Sequence, residues 1–181
     1  MNILVLFGSP RRNGNTKKLV SAFLKGFSKD DNIDIVNLFE LMPTPCNACG
    51  YCKASDGCSK KDLDGFMKKY FEADLIVVAT PIYLMSMPAP LKALFDRFQR
   101  FYEARFKRNI EIPIEKSKKA VILVTAGCDG KIGFKVIEEQ IKSAFSVMNT
   151  KVVATLLVND TDKNDVTEND LLNAYGLSSN L

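Results

Sequence analysis

The sequence contains no histidine and no tryptophan among its 181 residues. Without histidine, the chain has no Ser-His-Asp or Cys-His nucleophilic site, no histidine ligand for zinc, and no imidazole for general acid or base catalysis. Without tryptophan, stacking against a planar ligand falls to tyrosine or phenylalanine. These two absences indicate that the chemistry of the protein comes mainly from a bound cofactor rather than from side chains.

Long apolar runs and strong net charge are missing too. No apolar stretch approaches the ~20 residues of a membrane-spanning helix, and the N-terminal residues show neither a basic leader nor a small-residue cleavage site. The net charge is only +4, and we interpret the basic concentration in residues 105–119 as a solvated face or loop rather than a docking patch for an acidic redox partner. We therefore expect a soluble, cytoplasmic protein with one domain over residues 1–181, which binds neither nucleic acid nor membranes.

The most informative segment that is present directly follows an apolar run, residues 3–7. Residues 8–16 read Gly-Ser-Pro-Arg-Arg-Asn-Gly-Asn-Thr and then open an amphipathic helical pattern, so that several backbone amides face one point. An ordinary capped turn is the alternative, but so many small and polar residues beside two arginines favour an anion site. The candidate anion-binding residues are Ser9, Arg11, Asn13, Gly14, Asn15 and Thr16.

Two motifs that this segment lacks narrow the identity of the anion. The dinucleotide fingerprint G-x-G-x-x-G is absent, and Asn15 stands where a Walker loop needs lysine. Nucleoside triphosphate chemistry is therefore disfavoured. A single terminal phosphate, such as that of FMN, fits a loop of amides and hydroxyls at the first switch point of a flavodoxin-like sheet.

Apolar runs alternate with amphipathic segments along the chain. The runs at 75–79 and 121–124 are continuous, as expected of parallel strands that are covered on both faces, whereas residues 33–38 alternate and suit a position nearer the sheet edge. Two further runs lie at 3–7 and 152–158. After the first helix, helical patterns occupy residues 63–71, 88–102, 134–147 and 166–175.

This order of elements predicts an α/β fold. We expect a flavodoxin-like doubly wound sheet of five parallel strands in the order 2-1-3-4-5, with helices on both faces. Ligands of such sheets bind beyond the carboxyl ends of the strands. The loops after Phe7, Thr80 and Thr125 are therefore expected to converge.

The second of these loops, residues 80–88, is apolar and stiffened by prolines. It offers a flat wall and backbone hydrogen-bonding groups to a planar tricyclic ring. The third loop, residues 126–130, contains two glycines and is expected to pass close to the edge of the ring. The candidate ring contacts are Pro81, Ile82, Tyr83, Leu84, Met85, Ala126 and Gly127, although Tyr83 and Met85 fit a core role equally well.

Four of the five cysteines belong to a cysteine-rich loop at about residues 43–62. Their spacing, Cys-x2-Cys-x2-Cys-x5-Cys, lets one tight loop wrap thiolates around a compact centre, as in ferredoxin-like runs. A [4Fe-4S] cluster is the preferred interpretation, an unmetallated loop the second and structural zinc the third. The isolated Cys128 is interpreted as a small apolar residue. The predicted metal ligands are Cys46, Cys49, Cys52 and Cys58.

Three motifs, at residues 8–16, 80–83 and 91–97, together resemble the flavodoxin-like NAD(P)H-dependent FMN reductases. With the cysteine quartet, the chain is most similar to the iron-sulfur flavoproteins of that group. The resemblance implies FMN bound non-covalently, its ring against residues 81–84 and its phosphate at Ser9, Arg11, Asn13, Asn15 and Thr16. It also implies a homodimer or homotetramer with the flavin near a subunit interface, which we expect the helix ending at Asp96 and Arg97 to help form.

Two functions from different classes fit this sequence. The first is an FMN-dependent oxidoreductase that passes electrons, with NAD(P)H as the expected donor, through the flavin to a small acceptor. No side chain is an obvious catalytic acid or base, so the flavin would carry the chemistry. The alternative is a flavin and iron-sulfur electron carrier that exchanges electrons with a ferredoxin-like protein without nicotinamide turnover. A redox-sensing module is a third possibility.

Overall fold

Five parallel strands form one sheet in the computed structural model, which describes residues 1–179 and 181. The strand order is β2-β1-β3-β4-β5, as the sequence predicts. The register aligns Phe7 with Ala79 and Pro81 with Thr125, so the carboxyl ends of the central strands lie side by side. The strands are β1 (Asn2–Phe7), β2 (Asn32–Asn37), β3 (Leu75–Pro81), β4 (Lys118–Thr125) and β5 (Thr150–Val158).

Helices cover both faces of this sheet, and long and short helices alternate with the strands. In the part of the chain that the structure describes, no helix is long and apolar enough to cross a membrane. The helices are α1 (Asn15–Leu24), α2 (Leu38–Leu41), α3 (Tyr51–Ala54), α4 (Asp64–Glu72), α5 (Ala89–Arg97), α6 (Gln99–Phe106), α7 (Lys131–Ser146), α8 (Thr161–Asn164) and α9 (Glu168–Ser178).

The single helix predicted over residues 88–102 is wrong, because the segment divides into α5 and α6 at Phe98. The Phe98 amide bonds to the Phe95 carbonyl, three residues back, at 3.0 Å, and this tighter turn interrupts the regular helix. The turn packs the buried Phe98 ring 5.2 Å from Phe95 and 5.7 Å from Tyr70, measured between ring centres. Burial of this aromatic ring is the physical reason for the break.

The core lies on both faces of the sheet and fixes the register of the central strands. Successive residues of β1, such as Ile3 and Leu4, point to opposite faces of the sheet and belong to different apolar clusters. One cluster packs against α4, α5, α6 and α7, and the other against α1 and α9. In β2, Ile33 and Ile35 are exposed, which fits the predicted position at the sheet edge.

A buried lysine marks the amino end of β4, the end opposite the loops that were predicted to converge. The Nζ atom of Lys118 donates to the Lys116 carbonyl at 3.0 Å and lies 5.7 Å from the centre of the Tyr70 ring. Burial, helped by the charge of Lys116, lowers the pKa of Lys118 from 10.5 to about 8. Between these two pH values the native state binds fewer protons than the unfolded chain.

Stability is therefore expected to rise with pH across this window, because the unfolded chain binds more protons there. Below it, the charged Lys118 destabilises the fold. Lys118→Met should raise the free energy of unfolding by about 1–2 kcal/mol at about pH 7, and the gain should shrink toward about pH 10. Urea titrations at both pH values measure it, with the exposed Lys119→Met as control. An equal gain at both pH values would contradict the assignment.

Candidate functional site

A cleft opens at the carboxyl edge of the sheet, where the loops after β1, β3 and β4 converge as predicted. It holds about 710 Å³ of empty space, part of which is open to solvent. The short helix α8, which follows β5, contributes a fourth segment. The cleft is lined by Ser9, Arg11, Gly14, Asn15, Thr16, Pro81, Ile82, Tyr83, Thr125, Gly127, Thr161 and Asp162.

The first loop presents the start of helix α1 to the cleft. Gly14 is the N-cap residue, and because it has no side chain it leaves the first amides of α1 without a side-chain acceptor. A Cβ atom at Gly14 would lie 2.9 Å from the Cβ of Arg11, so a larger residue does not fit this turn without displacing it. The positive end of α1 is thus available to an anion in the cleft.

Two buried hydroxyl groups stiffen the first loop. The Ser9 hydroxyl accepts a hydrogen bond from the Arg11 amide at 3.2 Å. The hydroxyl of Thr16 pairs with that of Thr125 at 2.8 Å, which ties the start of α1 to the end of β4. The side chain of Thr16 is therefore engaged with the protein.

The second loop forms a tight turn at the mouth of the cleft. Tyr83 and Ser86 exchange backbone hydrogen bonds of 2.8 and 2.9 Å. Between them, Leu84 and Met85 have φ angles of +45° and +65°, a left-handed pair typical of type I′ turns and costly for residues other than glycine or asparagine. Tyr83, Leu84 and Met85 are exposed, so the alternative core role for Tyr83 and Met85 is wrong.

The third loop packs against α8 and closes one side of the cleft. The Asp162 amide donates to the Gly127 carbonyl at 3.1 Å. A Cβ atom at Gly127 would meet the carboxylate of Asp162, an exposed side chain that would have to turn away. The side-chain amide of Asn15, in the first loop, donates to the Thr161 carbonyl at 3.3 Å. These bonds join the first loop, the third loop and α8 around one space.

Most of the predicted cofactor-binding residues lie together around this space. Residues that line it are Ser9, Arg11, Gly14, Asn15, Thr16, Pro81, Ile82, Tyr83 and Gly127, whereas Asn13, Leu84, Met85 and Ala126 do not. Sequence reasoning missed Thr125, Thr161 and Asp162. The sequence feature that could have indicated Thr161 and Asp162 is their position just after β5. The carboxyl end of β5 lies at the same edge of the sheet as the ends of β1, β3 and β4.

All four predicted metal ligands line a second cavity, which holds about 720 Å³ of empty space. The loop reaches it through left-handed turns at Gly50 and Gly57, where φ is +80° and +84° and glycine is the favoured residue. Among the described residues, no three histidine, cysteine, aspartate or glutamate side chains are placed to hold a metal ion. The four thiols share the cavity without converging on one point.

The thiols of this cavity differ in their electrostatic surroundings. The Ser59 hydroxyl, 3.2 Å from the Sγ atom of Cys49, and the Tyr51 amide lower the pKa of the Cys49 thiol. Burial raises the pKa of the Cys52 thiol. Because thiolates rather than thiols bind metals, these shifts make Cys49 a more readily ionised candidate ligand than Cys52.

Two charged side chains are buried beside the cysteines. Arg97 and Glu103 line the cavity, are 4% and 7% exposed, and keep Nε and Oε2 without a hydrogen-bond partner. The side chain of Arg97 points into its own chain, and the role of its helix in a subunit interface stays a prediction. Cys128, interpreted as a small apolar residue, is instead exposed in the third loop.

The cleft and the cysteine loop both fall within a known sequence family. The pattern of the NADPH-dependent FMN reductases matches residues 1–164, which include every cleft residue and all four clustered cysteines. The chain belongs to this family. Within the NADPH-dependent FMN reductase family, its cysteine loop gives it a second candidate site beside the cleft.

Relatives of this family member include iron-sulfur flavoproteins of two archaea. The protein of Methanosarcina thermophila is 39% identical over 99 residues, which span 54% of this chain and 52% of that protein. The protein of Methanocaldococcus jannaschii is 29% identical over 155 residues, or 84% of this chain and 76% of that protein. The chain therefore matches about half the length of the first of these relatives.

The fold is shared with solved structures of low sequence identity. An NAD(P)H:quinone oxidoreductase from Methanothermobacter marburgensis superimposes with a TM-score of 0.75 at 19% identity, covering 98% of this chain and 94% of that one. This similarity, together with the strand order, confirms the flavodoxin-like fold.

The types of residue present match two cofactors, FMN, which the description of the family names, and an iron-sulfur cluster, which the names of the relatives contain. For FMN, the cleft offers an uncapped helix N-terminus for a phosphate and an apolar loop for a ring. For an iron-sulfur cluster, the second cavity offers four thiols and two buried polar atoms that lack partners.

Proposed function

We propose that this chain binds FMN in the cleft and acts as an FMN-dependent oxidoreductase, taking electrons from NAD(P)H and passing them to a small acceptor. The observation that carries the proposal is the uncapped N-terminus of α1, which lies across the cleft from the apolar residues Pro81 and Ile82. The amides suit a terminal phosphate and the wall suits a planar ring. The description of the family and the names of the relatives support the same function.

In this proposal the protein binds and orients, and the flavin carries the chemistry. Bound FMN supplies reversible transfer of one or two electrons, which no side chain of this histidine-free chain supplies. The described cleft residues include one carboxylate, Asp162, and one phenol, Tyr83. Of the predicted residues that line the cleft, the phosphate falls to Ser9, Arg11, Gly14, Asn15 and Thr16, and the ring to Pro81, Ile82, Tyr83 and Gly127. The other predicted residues, Asn13, Leu84, Met85 and Ala126, stand outside this lining.

A steady-state assay of the purified protein tests this function. We expect flavin absorbance in the protein and NADH or NADPH oxidation that continues only while a quinone or free flavin is supplied as acceptor. Because the cleft is open to solvent, the acceptor can reach the exposed side of the ring. A protein that neither retains nor binds FMN would exclude the proposal.

The cysteine cavity favours a second candidate, an electron carrier that exchanges single electrons with a ferredoxin-like protein. Cys46 and Cys49 are exposed at the mouth of the cavity, and Lys53 and Lys61 are exposed nearby, where they suit an acidic partner. Reduction by ferredoxin alone, slowed by salt, with no turnover of NAD(P)H, would support the carrier over the reductase.

We also propose that the protein forms a homodimer or homotetramer, and the conformation and exposure of the second loop support this proposal. The fully exposed Leu84 stands on a strained turn beside the cleft, an arrangement that a second subunit would stabilise by covering it. Leu84→Asp should therefore shift the protein toward monomers in sedimentation velocity. Leu172→Asp, which changes an exposed leucine on α9, should not. A monomeric wild-type protein at micromolar concentration would contradict the proposal.

We also propose that the chain works as a single FMN-binding domain in the cytoplasm. All five cysteines are free thiols, as a reducing compartment would keep them. A fractionation experiment with an antibody against the native protein would test the location.

A further inference from the structure

We propose that Arg97 is a positioning residue that closes the cysteine loop, so that the four thiols share one cavity before any metal arrives. The effect of Arg97 on metal binding rests on the cluster site suggested above. The closure of the loop by Arg97 does not depend on that site, because every contact involved lies within the protein itself.

Arg97 joins the two ends of the cysteine segment. It is the last residue of α5, and its side chain is only 3% exposed. Its Nη1 atom donates to the Thr44 carbonyl at 2.8 Å and to Oδ1 of Asp62 at 2.9 Å, and its Nη2 atom donates to the Lys60 carbonyl at 2.8 Å. Thr44 precedes the first cysteine of the quartet, and Lys60 and Asp62 follow the last.

Asp62 completes a closed ring of hydrogen bonds. Its Oδ2 atom accepts from the Thr44 amide at 2.8 Å while its Oδ1 atom accepts from Arg97. Partial burial disfavours the charged carboxylate, but the Thr44 amide and the Arg97 guanidinium outweigh it and hold the pKa of Asp62 below its usual range. Asp62 is therefore ionised near neutral pH, and the bonds of the ring are charge-assisted.

Arginine suits position 97 better than lysine does. A planar guanidinium reaches several acceptors in fixed directions, whereas a lysine ammonium is a compact point charge on a flexible stem. Bringing the ends of a flexible loop together costs conformational entropy, and the ring formed by Arg97 meets that cost during folding rather than during metal binding. The thiols are thereby gathered in advance.

A second arginine supports the middle of the loop more weakly. Arg108 donates to Oδ1 of Asp56 at 3.0 Å, but the carboxylate of Asp56 is 84% exposed to solvent. Screening by water makes such a contact weak. Arg97, in contrast, is buried and meets both ends of the segment, and its Nε atom still has a free donor beside the cavity.

The test compares Arg97→Met and Arg97→Lys with Asp96→Asn as the matched control. Asp96 is the neighbouring residue on α5, and its ion pair with Lys92 is exposed. Hydrogen exchange of metal-free protein measures the closure of the loop directly. We expect exchange of residues 44–62 to rise by about tenfold or more in Arg97→Met, and by less in Arg97→Lys, with the sheet unchanged. Anaerobically reconstituted Arg97→Met should also lose most of its iron and sulfide while retaining FMN.

Each outcome decides one part of the proposal. Unchanged exchange at residues 44–62 in Arg97→Met would overturn it. If the wild-type protein takes up no iron but exchange still rises in Arg97→Met, the cluster fails and the closure by Arg97 stands. If Arg97→Met does not fold, Asp62→Asn removes the charge and one of the two acceptor oxygens of the ring while leaving the buried guanidinium in place. Asp62→Asn should then raise exchange in the same segment, and normal exchange there would overturn the proposal.

Discussion

Replacing Cys52 with alanine is expected to remove iron from the protein while leaving its FMN in place. Cys52 lies in α3, lines the second cavity and is the thiol whose pKa burial raises. A [4Fe-4S] cluster needs four thiolates, so the loss of one should lower iron from about four atoms per chain to below about one. The flavin should remain, because the cavity and the cleft share no lining residue.

Cys128→Ala is the matched control for this prediction. It removes the same atom from an exposed cysteine outside the quartet, so iron, sulfide and FMN should all stay at wild-type levels. Elemental analysis, sulfide determination and flavin absorbance of anaerobically purified proteins provide the measurement. A Cys52→Ala protein with full iron would refute the assignment of ligands. One zinc per wild-type chain would replace the cluster with a structural metal site.

The fold was predictable because each strand has a hydrophobic pattern that can be recognised from its own residues. The continuous apolar runs of β3 and β4 are explained by burial on both faces, and the exposed Ile33 and Ile35 explain the alternation of β2. The break between α5 and α6 was not predictable in this way. It depends on where the Phe98 ring packs against Tyr70, which belongs to a different helix.

The candidate sites also differ in whether they depend on neighbouring residues or on contacts that are distant in the sequence. Ser9, Gly14 and Thr16 belong to one contiguous loop, so their residue types and the helix that follows were enough to predict an anion site. The role of Arg97 was invisible, because its acceptors lie 35 to 53 residues away along the chain. Only the packing of α5 in the folded chain turns that side chain inward, toward these acceptors.

Helix α5 connects the two candidate sites. It begins just after the strained turn at Leu84 and Met85, beside the cleft, and it ends at Arg97, which lines the cysteine cavity. Nine residues of α-helix span about 14 Å. One helix therefore runs from the segment after this turn to the cysteine cavity.

Asn15→Asp is expected to abolish tight FMN binding while the protein remains folded. Asn15 is the first residue of α1 and lines the cleft, and aspartate has nearly the same shape. A carboxylate there repels a phosphate dianion at short range, which should weaken FMN binding by about 100-fold or more, or about 3 kcal/mol. Aspartate loses the 3.3 Å bond to the Thr161 carbonyl and the hydrogen bond to the Asp165 carboxylate, and its favourable interaction with the start of a helix, worth about 0.3–1 kcal/mol, offsets only part of this cost.

Fluorescence titration of the flavin-free protein measures this loss, and thermal unfolding of the same protein measures the fold. Ser21→Asp is the matched control, because it adds the same charge to an exposed position in the middle of α1, away from the cleft. It should leave FMN affinity within about twofold of wild type, since solvent screens a charge at that distance. Equal affinities of Asn15→Asp and Ser21→Asp would mean that the phosphate does not bind at the start of α1. The anion site in residues 8–16 would then have to be abandoned.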